Sequence, residues 1–433
     1  MRAPPALPLP PLLLLLLLPL ISSSSSFWPP DELSDTITCS SLSIDPDLKS
    51  YRTSVSIPDT YATKFDDGVF APIFSSLPLT SSNSSVTLAS IFVHGLSANA
   101  NEYFCNGLAS APSNVLVVAP WFGDEQCKLS EWVDGADSSD TSMSTFWNIT
   151  NWDRGGDASP GDTTPSRYTT SFDVLDAIVL ALDDAKTSGR MPNLERVTIN
   201  GFSAGAQLAS RWALFSSYAN LREELSVDVR TVVADGSSYV YLDSTRPDSS
   251  CTSLEDTGVD HTCETFSVPS DAGSCPGYDE YKFGLDLSGT TDSVYMDPFD
   301  DESELDAAVA AFLASDVRFI FGDEDVCNCN TEGYANAQSS VCYPKDTSCS
   351  PNDYGGSLSG VQCCDTYPDT GSSNALATDC ESLLQGSNRL QRGLNYIGHL
   401  ERMGAGVEHG VFEGGHDNAA FYASDLFQEW VYS

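Results

Sequence analysis

The segment ERVTINGFSAGAQLASRWALFSSYA, residues 195–219, joins an apolar, β-branched run to a helical pattern through the pentapeptide GFSAG at 201–205. Its first part predicts a buried strand and its last part a helix. A Gly-x-Ser-x-Gly sequence at a strand-to-helix turn holds the serine out above a sheet, and small neighbours are needed in so cramped a turn. Ser203 is therefore a candidate nucleophile. The Ala204 N–H, which begins the helix, is a candidate donor to a developing oxyanion.

Apolar runs and helical patterns alternate on both sides of this turn. Such alternation is typical of an α/β fold, here a mostly parallel central sheet flanked by helices. The predicted strands are 86–95, 114–122, 195–200, 227–242 with its exit loop, 317–325 and 407–417, and the predicted helices are 171–188, 206–219 and 418–432.

A serine hydroxyl needs a base to take its proton, and histidine is the usual base because its pKa lies near neutrality. His416 follows the last apolar strand in EGGHD, where the chain order serine, acid, histidine puts the base. The other histidines have packing or solvated roles as their simplest interpretation: His94, His261, His399 and His409.

The acid is expected on the turn after the strand that precedes the histidine's strand, where it can hold the imidazole by its Nδ1–H. The run VRFIFGDED at 317–325 offers Asp323, Glu324 and Asp325. We favour Asp325, because the third position after the strand-ending glycine is far enough round the turn to reach inward. Asp417 is a poor candidate, since it cannot easily reach round to the ring of the adjacent histidine.

His94-Gly95 ends the first strong strand and predicts the second half of an oxyanion hole. Glycine there allows a turn that aims the Leu96 N–H at a substrate oxygen.

A second pentapeptide, GSCPG at 273–277, has Cys275 in place of the serine. No strand pattern precedes it and its proline has no N–H to donate, so we interpret Cys275 as a disulfide partner.

Four aromatic residues fall in loops that leave strand ends, the rim where such folds bind ligands. They could form a wall against a sugar, phenolic or acyl group, and packing in the core is an equally good interpretation. These tentative substrate-binding residues are Trp147, Trp152, Tyr239 and Tyr241.

The first 26 residues have the order of a secretory signal peptide: one arginine, a leucine block, then small polar residues. Residues 27–85 are expected to form an N-terminal extension with the first strands, and 86–433 the catalytic domain. Long polar insertions at about 243–300 and 326–380 carry many of the cysteines. The sequons at Asn83 and Asn148 are glycosylation candidates that fit export.

The chain contains 13 cysteines, and an exported chain meets oxidising conditions, so disulfides are the default expectation. Zinc is the competing interpretation for four of them, but their spacing does not match a Cys-x2-Cys pair and no histidine lies nearby. We therefore expect no metal and no cofactor. The four cysteines are Cys327, Cys329, Cys363 and Cys364.

The charge is strongly acidic, with 61 Asp and Glu against 20 Lys and Arg and a formal net charge of −41. Such a surface would repel nucleic acid and anionic membranes, so neither is an expected partner. After the leader, no stretch approaches the roughly 20 apolar residues that a membrane span needs.

The segments HGLSANANEYF (94–104), GFSAG, FGDED and GGHD, in this order and spacing, resemble the α/β-hydrolase superfamily. The first resembles polyhydroxybutyrate depolymerase-like and feruloyl esterase-like enzymes, and NWDRGG, SFDVLDA, ADGSSYVYL and CPGYDEYKFGLD resemble an uncharacterised branch of secreted eukaryotic hydrolases. The likeness covers roughly residues 86–425. It implies an acyl hydrolase with the triad Ser203, Asp325 and His416 and with Leu96 and Ala204 as oxyanion donors. The insertion at 330–364, directly after the acid, departs from the pattern.

The sequence thus predicts a secreted serine hydrolase that cleaves small or polymeric carboxylic esters through an acyl-enzyme. A serine peptidase or amidase of the same fold is the first alternative, and an acyltransferase is another. A non-catalytic binding protein on the same scaffold is the alternative from a different class, but the complete set of serine, acid, histidine and His-Gly argues against it.

Overall fold

An eight-stranded sheet forms the centre of the protein in a computed structural model that describes residues 51–56, 70–96, 98–122, 147, 151–158, 170–216, 225–248, 251, 263–270, 272–288, 293–323, 325, 380–386 and 389–433. All of these belong to one unit, Leu33–Ser433. The leader, Asn148, His261 and the four cysteines considered as zinc ligands lie outside the described residues. The proposed domain boundaries stay predictions.

The sheet is mostly parallel, as the sequence predicts. Only the first two strands run antiparallel to their neighbours, and every other pair is parallel. Its strands are β1 (Tyr51–Ser56), β2 (Phe70–Ser75), β3 (Leu88–Val93), β4 (Val115–Pro120), β5 (Arg196–Phe202), β6 (Asp228–Ala234), β7 (Val317–Gly322) and β8 (Glu408–Phe412). Their spatial order is β1-β2-β4-β3-β5-β6-β7-β8.

Helices follow most strands of the parallel part and pack on both faces of the sheet. A capping box between Thr170 and Asp173 begins α2, and Ser424 separates the two C-terminal helices, which the sequence predicts as one. The helices are α1 (Ala100–Ser110), α2 (Ser171–Thr187), α3 (Ala204–Phe215), α4 (Glu302–Leu313), α5 (Cys380–Leu383), α6 (Arg389–Arg402), α7 (Asn418–Ala423) and α8 (Asp425–Tyr432).

Alternate residues of the central strands fill two separate apolar layers. In β3, Ile91 and Val93 join the layer formed with α2 and α3, whereas Phe92 joins the layer formed with α1, α7 and α8. Both faces of the sheet are therefore covered, which explains why these strands are nearly continuous apolar runs. The sheet is a rigid base for the loops at its carboxyl edge.

Two disulfides fasten the described parts of the insertions. Cys251 pairs with Cys263, and Cys275 pairs with Cys380 across 105 residues. The prediction that Cys275 is a disulfide partner is confirmed. Among the helices of the described residues, none is long and apolar enough to cross a membrane.

Candidate active site

Ser203 lies at the turn between β5 and α3, where the sequence predicts it. Its backbone has φ 59° and ψ −119°, a conformation that residues with a side chain rarely adopt. The Ser203 N–H donates to the Ala234 carbonyl at 2.9 Å, which fastens the turn to the end of β6. A strained serine held this way presents its hydroxyl at the carboxyl edge of the sheet.

Two glycines make this turn possible. A Cβ on Gly201 would lie 2.1 Å from the Gly205 carbonyl oxygen, and a Cβ on Gly205 would lie 2.2 Å from the carbonyl oxygen of Val93 in β3. Both distances are far below van der Waals contact. The close approach of α3 to β3, which sets the position of the serine, therefore requires glycine at both positions.

His94 holds the loop that carries the other predicted oxyanion donor. It is fully buried, and burial lowers its pKa to about 4, so the ring is neutral. The Phe122 N–H donates to Nε2 at 2.9 Å, which leaves Nδ1–H to donate to the Gly95 carbonyl at 2.7 Å. In a trans peptide the N–H points opposite to the carbonyl. Fixing the Gly95 oxygen therefore also fixes the direction of the Leu96 N–H.

A chain of hydrogen bonds joins the three residues that the sequence predicts as a triad. His416 Nε2 lies 2.8 Å from Ser203 Oγ, and His416 Nδ1 lies 2.7 Å from Asp325 Oδ2. With Nδ1 protonated, the ring donates to the carboxylate and accepts the serine proton. The His416 side chain is 28% exposed and Asp325 is 1% exposed, so the histidine faces the solvent side and the aspartate the interior.

The Asp325 carboxyl lies between a histidine and an arginine. Arg389 Nη1 at the start of α6 is 3.5 Å from Asp325 Oδ1, and the Leu390 N–H donates to the Asp325 carbonyl at 3.1 Å. Burial acts to raise the pKa of Asp325, but His416 and Arg389 outweigh it and hold that pKa below its usual value. Asp325 is therefore ionised at neutral pH.

The pKa of His416 is lowered from its ordinary value of 6.5, first by burial and then by the charge of Arg389. Asp325 acts in the opposite direction without cancelling these two effects. At neutral pH the ring is therefore unprotonated at Nε2 and able to act as a base.

Asp323, which we did not favour as the acid, holds the histidine loop. Its Oδ1 accepts the Gly414 N–H at 2.9 Å, and its own N–H donates to the Phe412 carbonyl at 3.0 Å. Asp417 accepts the N–H groups of the first turn of α7 and so serves as a helix cap. Neither carboxylate is the partner of the His416 ring.

The four aromatic side chains expected at the rim lie in the core instead, each at most 1% exposed. Trp152 stacks on Phe122 at 5.3 Å, and Tyr239 stacks on Tyr396 at 4.7 Å. They support the loops that carry the site, and their burial does not fit the expected aromatic wall. Strand-end loops send side chains both inward and outward, and the sequence does not distinguish the two. The four are Trp147, Trp152, Tyr239 and Tyr241.

Two features of the site have no clear sequence signal. Arg389 begins a helix after a long insertion, so its contact with Asp325 depends on tertiary structure alone. Asp235 follows β6 and looks like an ordinary turn residue in ADGSS.

The packing interpretation of His399 holds, since it is buried, its pKa is lowered to about 3 by burial, and Nε2 accepts the Leu242 N–H.

A mostly parallel sheet with a serine at the sharp turn after a central strand and a histidine in the loop after the last strand has the α/β-hydrolase fold. No protein-family model matches the chain, and a search of curated protein sequences finds no match. Solved structures do match, and three of them are described below.

Poly(aspartic acid) hydrolase-1 from Sphingomonas sp. KT-1 is 14% identical, with 88% of this chain and 98% of that chain covered and a TM-score of 0.43. LpqC, a poly(3-hydroxybutyrate) depolymerase from Bordetella parapertussis, is 15% identical over 86% and 87%, with a TM-score of 0.44. Brefeldin A esterase, described as a bacterial homologue of human hormone sensitive lipase, is 12% identical over 92% and 76%, with a TM-score of 0.36. These likenesses are too distant to assign a substrate to this chain.

Proposed function

We propose that the protein is a secreted serine hydrolase that cleaves carboxylic esters through an acyl-enzyme. The observation that carries this proposal is the continuous hydrogen-bonded chain from Asp325 Oδ2 through the His416 ring to Ser203 Oγ, with links of 2.7 and 2.8 Å. Nucleophile, base and orienting acid are within the reach that such catalysis requires.

In the first step Ser203 Oγ attacks the ester carbonyl carbon while His416 Nε2 takes its proton. The imidazolium that forms is stabilised by Asp325 and then gives the proton to the leaving alcohol oxygen, so that the carbon–oxygen bond breaks and the acyl-enzyme remains. In the second step His416 takes a proton from water, the hydroxide attacks the acyl carbon, and the serine regains its proton as the acid leaves.

The negative charge that develops on the carbonyl oxygen is stabilised by the N–H groups of Leu96 and Ala204. Ala204 begins α3, whose N-terminal end favours negative charge. The strained backbone of Ser203 and the His94-Gly95 contact support this role, because both hold the donors in place before the reaction starts.

The test compares wild type, Ser203→Ala and the matched control Ser188→Ala, in which an exposed serine at the end of α2 is changed. On short- and medium-chain nitrophenyl esters we expect full activity in wild type and the control and a loss of roughly 10³-fold or more in Ser203→Ala. A fluorescent organophosphonate should label only the two active proteins. Equal rates and equal labelling in all three would contradict the proposal.

The same purified proteins can distinguish the alternative functions. A panel of dipeptide amides separates the peptidase alternative, and added alcohols as acyl acceptors separate the acyltransferase. Amide cleavage that exceeds ester cleavage would favour the peptidase, although esters need less help in expelling the leaving group. Absence of any turnover or labelling, with intact fold, would favour the binding protein.

Export is the second part of the proposal, supported by the leader at 1–26 and by the two disulfides. Expression in a secreting eukaryotic host should release a mature chain that lacks the leader. Removal of N-glycans should change its mass, and Asn83→Gln and Asn148→Gln should each remove part of that change. Recovery of the chain inside the cell with residues 1–26 intact would contradict export.

A further inference from the structure

Asp235 is a buried carboxyl beside the active site with no part in the steps above. It follows β6 directly after Ala234, whose carbonyl accepts the Ser203 N–H. Its backbone has φ 51°, in the left-handed region that disfavours side chains, and the residue is 0% exposed. A charged side-chain type kept in a strained and fully buried place points to a function.

The Asp235 carboxyl lies against the triad. One of its oxygens, one Asp325 oxygen and one His416 ring nitrogen lie within 4.8 Å of one another. Asp235 Oδ1 accepts the Gly322 N–H at 2.9 Å, at the start of the loop that carries Asp325. Oδ2 is buried, and among the described residues it has no hydrogen-bond partner.

Two ionised carboxylates this close would repel each other strongly in the protein interior. Among the described residues, the cation that contacts the pair is Arg389, which lies 3.5 Å from Asp325, and His416 also bonds to Asp325. Tyr239, a further titratable neighbour of the pair, is neutral because burial raises its pKa well above the usual value. The surroundings therefore favour charge on Asp325 and oppose it on Asp235.

The two pKa directions agree with this geometry. Burial, followed by the charge of Asp325, raises the pKa of Asp235 well above its usual value of 3.8. The pKa of Asp325 is lowered despite its burial. One carboxyl of the pair thus holds a proton under conditions in which the other is ionised.

We propose that Asp235 is a positioning residue of the active site that stays protonated while Asp325 is ionised, so that the pair carries one negative charge and directs it at His416. This rests on the proposed function. When Asp235 loses its proton at alkaline pH, a second negative charge appears next to Asp325, displaces it from the ring and reduces turnover. Asp235 thereby sets the alkaline limit of activity.

The test measures kcat/KM for an ester from acid to alkaline pH in wild type, Asp235→Asn and Asp235→Ala. Wild type should lose about tenfold per pH unit above the pKa of Asp235. Asp235→Asn keeps an acceptor for the Gly322 N–H and cannot ionise, so this alkaline decline should be absent. Asp235→Ala should lose activity at every pH. Wild-type and Asp235→Asn profiles of the same shape would overturn the proposal.

An infrared measurement reads the proton directly and needs no substrate. Wild type at neutral pH should show the C=O stretch of a protonated carboxylic acid, shifted by ¹³C-labelled aspartate and lost at alkaline pH. In Asp235→Asn the band should be weaker by the contribution of Asp235, and what remains belongs to Asp176, whose pKa burial raises to about 7. A wild-type spectrum without this band overturns the proposal, and this result does not depend on whether any variant folds. If the band is present but Ser203→Ala leaves ester turnover unchanged, only the proposed function is contradicted.

Binding of a metal ion at this site would also contradict the proposal, because two carboxylates and a histidine could hold a divalent cation. Wild type is dialysed against a chelator, assayed, and assayed again with Zn²⁺. Unchanged activity supports the proposal. Activity that is lost and then restored by Zn²⁺ would overturn it, since Asp235 would then be an ionised ligand.

Discussion

Asp323 and Gly414 join the loop after β7 to the loop after β8: the Gly414 N–H donates to Asp323 Oδ1 at 2.9 Å. The two loops also approach closely at Gly322, where a Cβ would lie 2.6 Å from the Gly414 carbonyl oxygen. The first loop carries Asp325 and the second carries His416. Their relative position, and with it the 2.7 Å contact between Asp325 and His416, depends on this junction.

We predict that Asp323→Ala lowers kcat by about tenfold, because the freed histidine loop spends less time in the reactive position. Asp323→Asn keeps an oxygen that can accept the Gly414 N–H and should recover most of the rate. Steady-state kinetics on a nitrophenyl ester gives both numbers. An Asn variant as slow as the Ala variant would show that the charge of Asp323 matters and the acceptor does not.

The pH dependence has a sign that follows from the lowered pKa of His416, which is caused first by burial and then by the charge of Arg389. Activity needs the unprotonated ring, so it should fall as the pH drops through the pKa of His416, and that decline should lie below pH 6.5 because the pKa is lowered. Arg389 contributes to this lowering, so Arg389→Gln should move the decline to higher pH. The measurement is kcat/KM against pH in both proteins. A shift of the decline to lower pH in the variant would contradict the electrostatic role of Arg389.

The sequence identified the elements whose local patterns are strong. The strand-turn-helix around Ser203 and the strand that leads to His416 follow from apolar runs and small residues at fixed places, and the structure has both. Asp325, the aspartate favoured from the sequence, lies at hydrogen-bonding distance from the His416 ring, whereas Asp323 accepts the Gly414 N–H.

What the sequence could not supply depends on distant parts of the chain. Arg389 is 64 positions from Asp325, and Asp235 is 90 positions before it, so neither contact has a local pattern. Trp147 and Tyr241 look the same in sequence whether they face solvent or the core. Burial and charge pairing arise from packing, and they decide which carboxyl holds a proton. The protonation states of Asp235 and Asp325 therefore could not be predicted from the sequence.

A close contact in the loop after β3 gives a prediction about Gly95. A Cβ on this residue would lie 2.8 Å from the Tyr103 hydroxyl oxygen and 3.7 Å from the Ser203 Cβ. Gly95→Ala should therefore displace the Leu96 N–H and lower kcat by roughly 10²-fold, as the loss of one oxyanion donor does. Tyr103→Phe removes the obstructing oxygen, so the double variant should recover part of the rate relative to Gly95→Ala. No recovery would mean that the added methyl group is excluded by other atoms.

The two described disulfides close loops of very different length, and we predict that their removal differs accordingly. Cys275–Cys380 spans 105 residues and Cys251–Cys263 spans 12. On the chain-entropy estimate a bond closing about 100 residues contributes about 4.7 kcal/mol and one closing about 15 residues about 3 kcal/mol, because the longer bond restricts the unfolded chain more. Paired Cys→Ser variants, unfolded in urea, measure both losses of the free energy of unfolding.

Cys275–Cys380 has a second consequence, because the turn after α5 carries Gln385, whose side chain donates to the Tyr239 carbonyl and accepts the Tyr239 N–H. A few residues further on, Arg389 contacts Asp325. Loss of this disulfide should therefore lower kcat as well as stability, whereas loss of Cys251–Cys263 should affect stability more than kcat. Equal effects of the two variants on kcat, measured at a temperature where both remain folded, would show that the Cys275–Cys380 disulfide does not hold Asp325 in position.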